Sequence, residues 1–305
     1  MKPLSFVIIT YNRPADTLDL LRNITTLNRA AELLEEVIVV NNASTESYEA
    51  VKAFIAANPL INFRFIDSPE NLGVAKGRNL AIGHAKAPIL ILLDDDAELE
   101  NKDALENIVE LFEEQKTPGR PLGIISFKVL YHSNHQMQVN AFPHKQFEEH
   151  KDLSFFYTYY FAGGAHAIKK EVLEKVGSYP TDFFYGMEEY DLSYRVLEAG
   201  YSIAYTDKVV MLHKESPLGR KPKKEKLQMM WVNKSKVAYR HLPKKYFYST
   251  AFMWSLEYLK KTGWNLAGFF GGWKKVLAIT RTEKRTPVSS ETLEYLRRVK
   301  ARLWY

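Results

Sequence analysis

Three consecutive carboxylates close an apolar run in the stretch ILLDDDAEL at 91–99. Like charges on adjacent residues repel unless water screens them or a cation sits among them. A solvated turn after a strand is one reading. A divalent-cation site is the sharper one, because Mg²⁺ and Mn²⁺ take carboxylate oxygens and complete their shells with substrate phosphates. Side chains alternate along extended chain, so Asp94 and Asp96 offer two oxygens to one side while Asp95 faces elsewhere.

Three other stretches carry candidate chemistry. NLGVAKGRN at 71–79 sets Gly73 and Gly77 at the start of a helix. Its Arg78 offers a planar fork suited to phosphate or carboxylate. It is neither a Walker A loop nor a G-x-G-x-x-G turn. FFYGMEEYDLSYR at 183–195 crowds Glu188, Glu189 and Asp191 into one helical turn. Acids there complement the helix dipole, and Asp191 can pair with Arg195 one turn on. Two glutamates behind an aromatic loop are also candidates for a general base, since apolar cover and nearby negative charge raise a carboxylate's pKa. His213 ends the strand-like VVML at 209–212, and gains weight as a ligand only if the fold carries it to the rim of Asp94 and Asp96.

Such a convergence needs a scaffold. Strand-like runs at Phe6–Ile9, Val37–Val40, Asn62–Ile66 and Ile89–Leu93 alternate with helical spacing at Pro14–Asn28, Ser44–Ala57, Val74–Ala85 and Asp103–Glu114. That alternation predicts an α/β fold with a mostly parallel central sheet flanked by helices. Ligands then bind beyond the carboxyl ends of the strands, here TYNR at 10–13, NNAS at 41–44 and DDD at 94–96. Further strands are expected at Gly119–Leu130, Gly163–Lys170 and Val209–Leu212, and helices at Glu171–Val176 and Glu188–Ala199. Residues 131–160 read as a long loop or short hairpin. A Lys/Arg/Pro linker at 214–226 leads to helical stretches at 226–241, 245–280 with interruptions, and 290–303.

The 305 residues fit one large domain or two ordinary ones, and 46% hydrophobic with 26% charged residues excludes a disordered chain. The absence of cysteine excludes a disulfide framework and a thiolate metal site. The start, MKPLSFVIITYNRP, runs straight into a strand and turn, so no signal peptide is expected. No charge-free apolar run reaches the ~18 residues of a membrane span. A cytoplasmic protein, peripheral on the inner face of the membrane, is the expectation. Residues 1–207 carry 19 Lys and Arg against 30 Asp and Glu, a net −11, whereas residues 208–305 carry 23 against 6, a net +17. The basic tail calls for an anionic partner. Its stretch 244–275 mixes aromatics with Lys clusters, which suits packing onto the preceding α/β region, a homo-oligomer interface or an anionic membrane surface. No nucleic-acid module is present, and nucleic acid is not an expected partner.

In order along the chain, TYNR, VVNNAS, NLGVAKGRN, LLDDD, AGGA, MEEYDLSYR, EAGY and LH resemble glycosyltransferase family 2, over about residues 4–213 and in its bacterial rhamnosyl- and galactofuranosyl-type branch. The resemblance implies a GT-A fold with a C-terminal helical extension, and inversion at the anomeric carbon. It implies a nucleotide-diphosphosugar donor (a UDP- or dTDP-sugar) and Mn²⁺ or Mg²⁺. The implied acceptor is a hydroxyl of a glycan or lipid-linked glycan in cell-surface polysaccharide synthesis. Carried over residue by residue, Thr10, Tyr11, Asn12 and Arg13 line the nucleotide pocket. Asn41 stands near the base where the family usually has Asp, with Asn42 beside it. Asn71, Gly73 and Arg78 match the segment that touches nucleotide and phosphates. Asp94, Asp96 and His213 match metal ligands, and Asp95 faces the sugar or ribose. Gly163 and Gly164 match the loop beneath the sugars. Glu189 matches the catalytic base, with Glu188 as the alternative and Asp191 in the same acidic turn. The implied division is a catalytic domain over 1–213, with a nucleotide half at 1–96 and an acceptor half at 97–213. A basic loop at 214–226 and a helical region at 227–305 follow. The basic run 220–224 is a solvated linker or a loop closing over the diphosphate.

Two rivals differ in class. A sugar-phosphate nucleotidyltransferase would carry a Gly- and Arg-rich loop after the first strand, which TYNRP lacks. A non-catalytic, membrane-associated nucleotide-binding protein would have no need of the acids at 94–96 and 188–191.

Overall fold

A computed structural model describes residues 1–114, 119–216, 218 and 222–304. β1 (Leu4–Thr10) is buried along nearly its whole length, as an apolar run covered on both faces must be. α1 (Pro14–Thr25) begins on Pro14, whose missing N–H costs nothing in a first turn, and buries Thr17, Leu20, Leu21 and Ile24. The short α2 (Ala30–Leu33) follows. β2 (Leu34–Asn41), α3 (Glu49–Ala57), β3 (Phe63–Asp67), α4 (Gly73–His84) and β4 (Ile89–Asp94) complete the alternation. β1 pairs in parallel with β2 and β4, and β2 with β3. The register sets Thr10 beside Asn41 and Ile9 beside Asp94. Three polar strand ends therefore share one rim.

Beyond β4 the sheet is mixed. The chain continues through β5 (Ala97–Leu99), α5 (Ala104–Glu114), β6 (Leu122–Tyr131), α6 (Phe147–His150), β7 (Phe155–Thr158), β8 (Ala165–Lys169), α7 (Lys170–Val176), α8 (Glu188–Glu198) and β9 (Ser202–His213). The strand order is β3-β2-β1-β4-β8-β6-β9-β5, with β7 also on β9. β8 runs antiparallel to β4 with Ala165 opposite Leu93, which lays the turn at 163–164 against Asp94. β5 runs antiparallel to β9 with Ala97 opposite His213. That register carries His213 across 119 residues of sequence to the acids.

β9 starts well before the expected Val209. Its ladder with β6 is interrupted between Thr206 and Val210, and the polar pair Asp207 and Lys208 at that irregularity breaks the strand signal. α2, β5, α6 and β7 are three or four residues long, too short to show a period.

Side chains alternate between two cores. Phe6, Ile8, Val37, Val39 and Ile91 face one, with α1 and α5; Val7, Ile38, Val40, Leu90 and Leu92 face the other. The second core runs on through α8 into α9 (Lys223–His241), α10 (Lys244–Thr262), α11 (Leu266–Thr282) and α12 (Ser290–Arg298), taking in Trp231, Tyr258 and Leu296. Gly263, at φ +65°, closes α10 in the left-handed conformation and separates it from α11. Trp231 is fully buried and donates to the Ala251 carbonyl at 2.9 Å. Much of the C-terminal region is thus packed onto the α/β unit. No described helix is long and apolar enough to cross a membrane.

Candidate active site

The ends of β1 and β4 form the floor of an open cleft of about 820 Å³. Arg13 answers part of the charge problem at 94–96. Its Nη1 donates to Asp95 Oδ1 at 2.8 Å and lies 3.1 Å from Asp96 Oδ2. Its Nε and Nη2 hold the carbonyls of Leu218 and Ser216. The fork thereby ties the acids to the chain leaving β9. Burial pushes the Asp95 carboxyl up to about 7, with the Arg13 charge opposing the rise. Burial also acts to raise Asp96, but the hydrogen bond and charge of His213, the Arg13 charge and the Ser216 N–H outweigh it and hold Asp96 below the usual range.

Asp94, Asp96 and His213 each present a ligand atom, all within 4.8 Å of one another. His213 Nδ1 lies 2.8 Å from Gln138 Oε1, and the same carboxamide donates to Glu215 Oε1 at 2.9 Å. Because the amide nitrogen is committed to Glu215, the amide oxygen faces the ring and takes the Nδ1 proton. Nε2 therefore faces Asp96, 3.3 Å from Oδ1. The hydrogen bond to Asp96 and the surrounding acids raise the His213 pKa against the cost of burial, and the Nε2 proton they favour is the one a bound cation would replace. Two carboxylates and one imidazole oriented in this way fit Mn²⁺ or Mg²⁺, and more cations of that borderline kind.

The remaining rim is built by asparagines. Asn42 donates to Asn71 Oδ1 and accepts from the Leu72 N–H at 2.9 Å, so it holds the 71–73 loop and still lines the cleft. Asn71 caps the Gly73 N–H at 3.0 Å. Gly73 has φ +72°, and a Cβ there would meet the Phe184 carbonyl at 2.6 Å, so a side chain is doubly excluded. Asn41 is engaged with Asp67 and the Ser44 N–H, and Asn12 with Ser44 and Thr45. Neither is among the residues that line the cleft, and both hold loops. Thr10 Oγ1 is 2.6 Å from the Tyr48 hydroxyl, which also accepts from the Arg13 N–H. Thr10, Tyr11 and Arg13 line the cleft.

Arg78 is buried and joins this floor to α8. It lies 3.2 Å from Asp94 Oδ1 and 3.5 Å from Glu188 Oε1. At Gly164 a Cβ would run into the Asp94 carboxylate, and at Gly163 it would stand 3.3 Å from Arg78 Nη1 and 3.9 Å from Glu189 Oε2. Both glycines are therefore places of close approach. Burial, then the charge of Glu188, pushes Glu189 up to about 7. Glu188 is the more buried of the two and is spoken for by Arg78. Asp191 turns away from the cleft. Its carboxylate accepts from Arg195, Arg240 and His241 at 2.9, 3.2 and 2.9 Å, which anchors α8 to α9. The i,i+4 pair with Arg195 is present as the spacing implied.

Gln138, Glu215, Tyr185 and Lys226 also line the cleft. Sequence reasoning passed over all four. Gln138 sits in the aperiodic 131–160 stretch, and a lone carboxamide carries no local signal. Of the basic run 220–224, residues 220 and 221 lie outside the described residues, so closure over the cleft is not tested there.

The mixed sheet flanked by helices, with its helical C-terminal region, is the GT-A glycosyltransferase fold. The family model described as "Glycosyl transferase family 2" matches residues 5–177, more than half of the chain, and the chain belongs to that family of glycosyltransferases. An uncharacterized protein of Haemophilus influenzae is 28% identical over 180 residues, which is 58% of this chain and 92% of that protein. The O-antigen chain rhamnosyltransferase WbaN of Salmonella anatum is 24% identical over 187 residues, 58% of this chain and 56% of the relative. Among solved structures, the mannosyltransferase PcManGT of Pyrobaculum calidifontis, in complex with GDP-Man and Mn²⁺, superposes with a TM-score of 0.59 at 20% identity, covering 98% of this chain and 79% of that one. S. aureus TarS 1–349 with UDP-GlcNAc gives 0.64 at 13% identity, over 92% and 81% of the two chains.

Proposed function

We propose that this chain is an inverting, metal-dependent glycosyltransferase that moves a sugar from a UDP- or dTDP-sugar to a hydroxyl of a glycan or lipid-linked glycan in cell-surface polysaccharide synthesis. The observation that carries the reading is the convergence of Asp94, Asp96 and His213 within 4.8 Å at the floor of the cleft. The partial likeness to a rhamnosyltransferase, and the nucleotide sugars and Mn²⁺ bound by structural neighbours, support it.

In this reading Thr10, Tyr11, Asn42, Asn71 and Gly73 form the nucleotide wall, and Asp95 with Arg13 faces the ribose or sugar. Asn12 and Asn41 keep that wall in place. Asp94, Asp96 and His213 would hold a divalent cation, which would supply positive charge for the departing diphosphate. Glu189 accepts the proton of the acceptor hydroxyl as its oxygen bonds to the anomeric carbon. The bond to the diphosphate oxygen breaks on the opposite face and its electron pair leaves with the phosphate. Arg78, fixed between Asp94 and Glu188, keeps the cation floor and the base in one rigid frame. Gly163 and Gly164 let the turn beneath the sugars lie against Asp94, Arg78 and Glu189. Residues 1–213 are the catalytic unit, with a nucleotide half at 1–96 and an acceptor half at 97–213, and 227–305 its helical extension. Tyr248, Phe252 and Leu256 stand exposed on one stripe of α10, with Trp264 and Phe270 exposed nearby and Lys260 and Lys261 at the helix end. That pattern suits peripheral contact with an anionic membrane.

The test is release of nucleoside diphosphate from a panel of UDP- and dTDP-sugars with Mn²⁺ or with EDTA. Metal-dependent release that disappears in Asp96→Ala is expected. Release unaffected by EDTA and by Asp96→Ala would remove the metal site from the mechanism.

A further inference from the structure

α10 is apolar on two sides. Tyr246, Ala251, Tyr258 and Leu259 are buried on the inner one. Outward, Lys244, Tyr248, Phe252, Leu256 and Lys260 recur at every fourth position, and all are exposed. Such residues are neighbours on a helix surface, so they form one slanted row with three apolar side chains at its centre and an ammonium at each end. α11 repeats the arrangement: Leu266, Phe270 and Leu277 are exposed, interleaved with exposed Lys274 and followed by Arg281. The turn that joins the two helices sets Trp264 at φ +60°, where a bulky side chain is an outlier, and leaves it 72% exposed. Burial does not offset that conformation.

Apolar and aromatic side chains beside lysines, whose long stems let the charge reach past them, suit a helix that lies in a bilayer interface. The stretch 244–282 holds seven Lys and Arg against one acid, Glu257, which pairs with Lys261 at 2.8 Å. A second copy of this chain pressed onto the same face would bring two sets of these cations together. An anionic lipid surface would neutralise them.

The same face is tied to the cleft. α11 packs on the first turns of α9: Gln228 donates to the Gly268 carbonyl at 2.7 Å and accepts from Lys275 at 2.7 Å, and a Cβ on Gly272 would run into the Trp231 ring. Pro222 and Lys226, at the start of α9, line the cleft. With a rise of about 1.5 Å per residue and a helix thickness of ~10 Å, the outer face of α11 lies on the order of 15 Å from that rim.

We infer that α10 and α11 dock on an anionic lipid bilayer, and that this docking holds the α9 rim of the cleft beside the lipid headgroups. The docking stands apart from the transferase reading; its use rests on that reading. The acceptor is then a lipid-borne glycan, met by the cleft at the surface where it is anchored.

Flotation of the full chain in EDTA reads the docking, with vesicles of equal parts phosphatidylglycerol and phosphatidylcholine beside vesicles of phosphatidylcholine alone. Binding at least tenfold tighter to the anionic vesicles is expected. It should weaken at least tenfold in Lys244→Glu/Lys260→Glu/Lys274→Glu, which keeps every apolar side chain, and in Phe252→Gln/Trp264→Gln/Phe270→Gln, which keeps every charge. All six positions are exposed; should one variant fail to fold, the other decides. No binding by the parent, equal binding to the two vesicle types, or unchanged binding in a folded variant overturns the proposal. A parent that sediments as a dimer, and as a monomer in the aromatic variant, assigns the face to a second copy and also overturns it. The chain has no cysteine, so a single introduced one carries a dye cleanly. Förster transfer to labelled lipid should be at least threefold more efficient from Glu225→Cys, beside the cleft rim, than from Glu110→Cys on α5, which packs on the opposite face of the sheet. Equal or reversed transfer overturns the placement of the cleft. UDP with Mn²⁺, titrated without vesicles, reads the donor cleft separately: its failure with flotation intact would sink the donor reading and leave the docking standing.

Discussion

Gln138 Oε1 lies 2.8 Å from His213 Nδ1, and so fixes which ring nitrogen faces Asp96. The partner is itself fixed, since its amide donates to Glu215. Outer partners of ligating histidines usually matter about 10–100-fold in metal affinity. Gln138→Leu is expected to weaken Mn²⁺ binding by about that range without loss of fold, measured by titration calorimetry. An unchanged affinity would mean that the ring is oriented by β9 alone.

Gly164 tests the floor from the other side. A methyl group there would collide with the Asp94 carboxylate, and the flexible end to give way is Asp94 itself. Gly164→Ala should therefore cost at least tenfold in metal-dependent turnover while the melting temperature moves by only a few degrees. A variant with full activity would show that Asp94 is free to take another position.

The raised pKa of Glu189 has two readouts. As a base it must be ionised, so kcat/KM should rise with pH along a limb near pH 7. Its stability effect has the opposite direction. The folded state holds this proton more tightly than the unfolded one, so stability is lost as pH rises from about 4.5 through about 7. Glu189→Gln should abolish transfer. It should also raise the melting temperature by about 2–4 °C at pH 8, equivalent to ~1 kcal/mol, with no gain at pH 4. A destabilised variant at pH 8 would contradict the assignment of Glu189 as the strained acid.

Asp191 predicts stability instead of catalysis. Replacing it leaves Arg240 and His241 without their shared carboxylate, a loss of about 3 kcal/mol on the scale of broken buried pairs. Denaturant unfolding of Asp191→Asn checks this, with UDP binding retained as the control. The neighbours hold Asp191 far below the usual carboxylate range despite its burial, so its contribution is present above the unfolded-state value and is lost as pH falls.

The alternation of β1 to β4 with their helices was legible because each element spans enough residues to show its period, and the three polar strand ends follow from the parallel register. The acids at 94–96, Arg78 and the glutamates at 188–189 were legible by type and spacing. His213 could be named but not placed: its approach to Asp96 depends on the Ala97–His213 register of two strands far apart in sequence. The string NNAS carries no sign of what Asn41 does within the fold, where its amide ties the end of β2 to Asp67 at the end of β3. Gln138 had no sequence signal at all, because only the tertiary fold brings 131–160 against β9.

If Asp94, Asp96 and His213 hold a divalent cation for a nucleoside diphosphate, nucleotide binding must depend on metal. Thermal shift with UDP, dTDP, GDP and CMP, each in Mn²⁺, Mg²⁺ or EDTA, measures that dependence. A ligand at 100 times its Kd stabilises by about 2.7 kcal/mol. A clear rise with UDP or dTDP in metal, lost in EDTA and lost in Asp96→Ala, is expected. No rise with any nucleotide, or a rise as large in EDTA as in Mn²⁺, would contradict it.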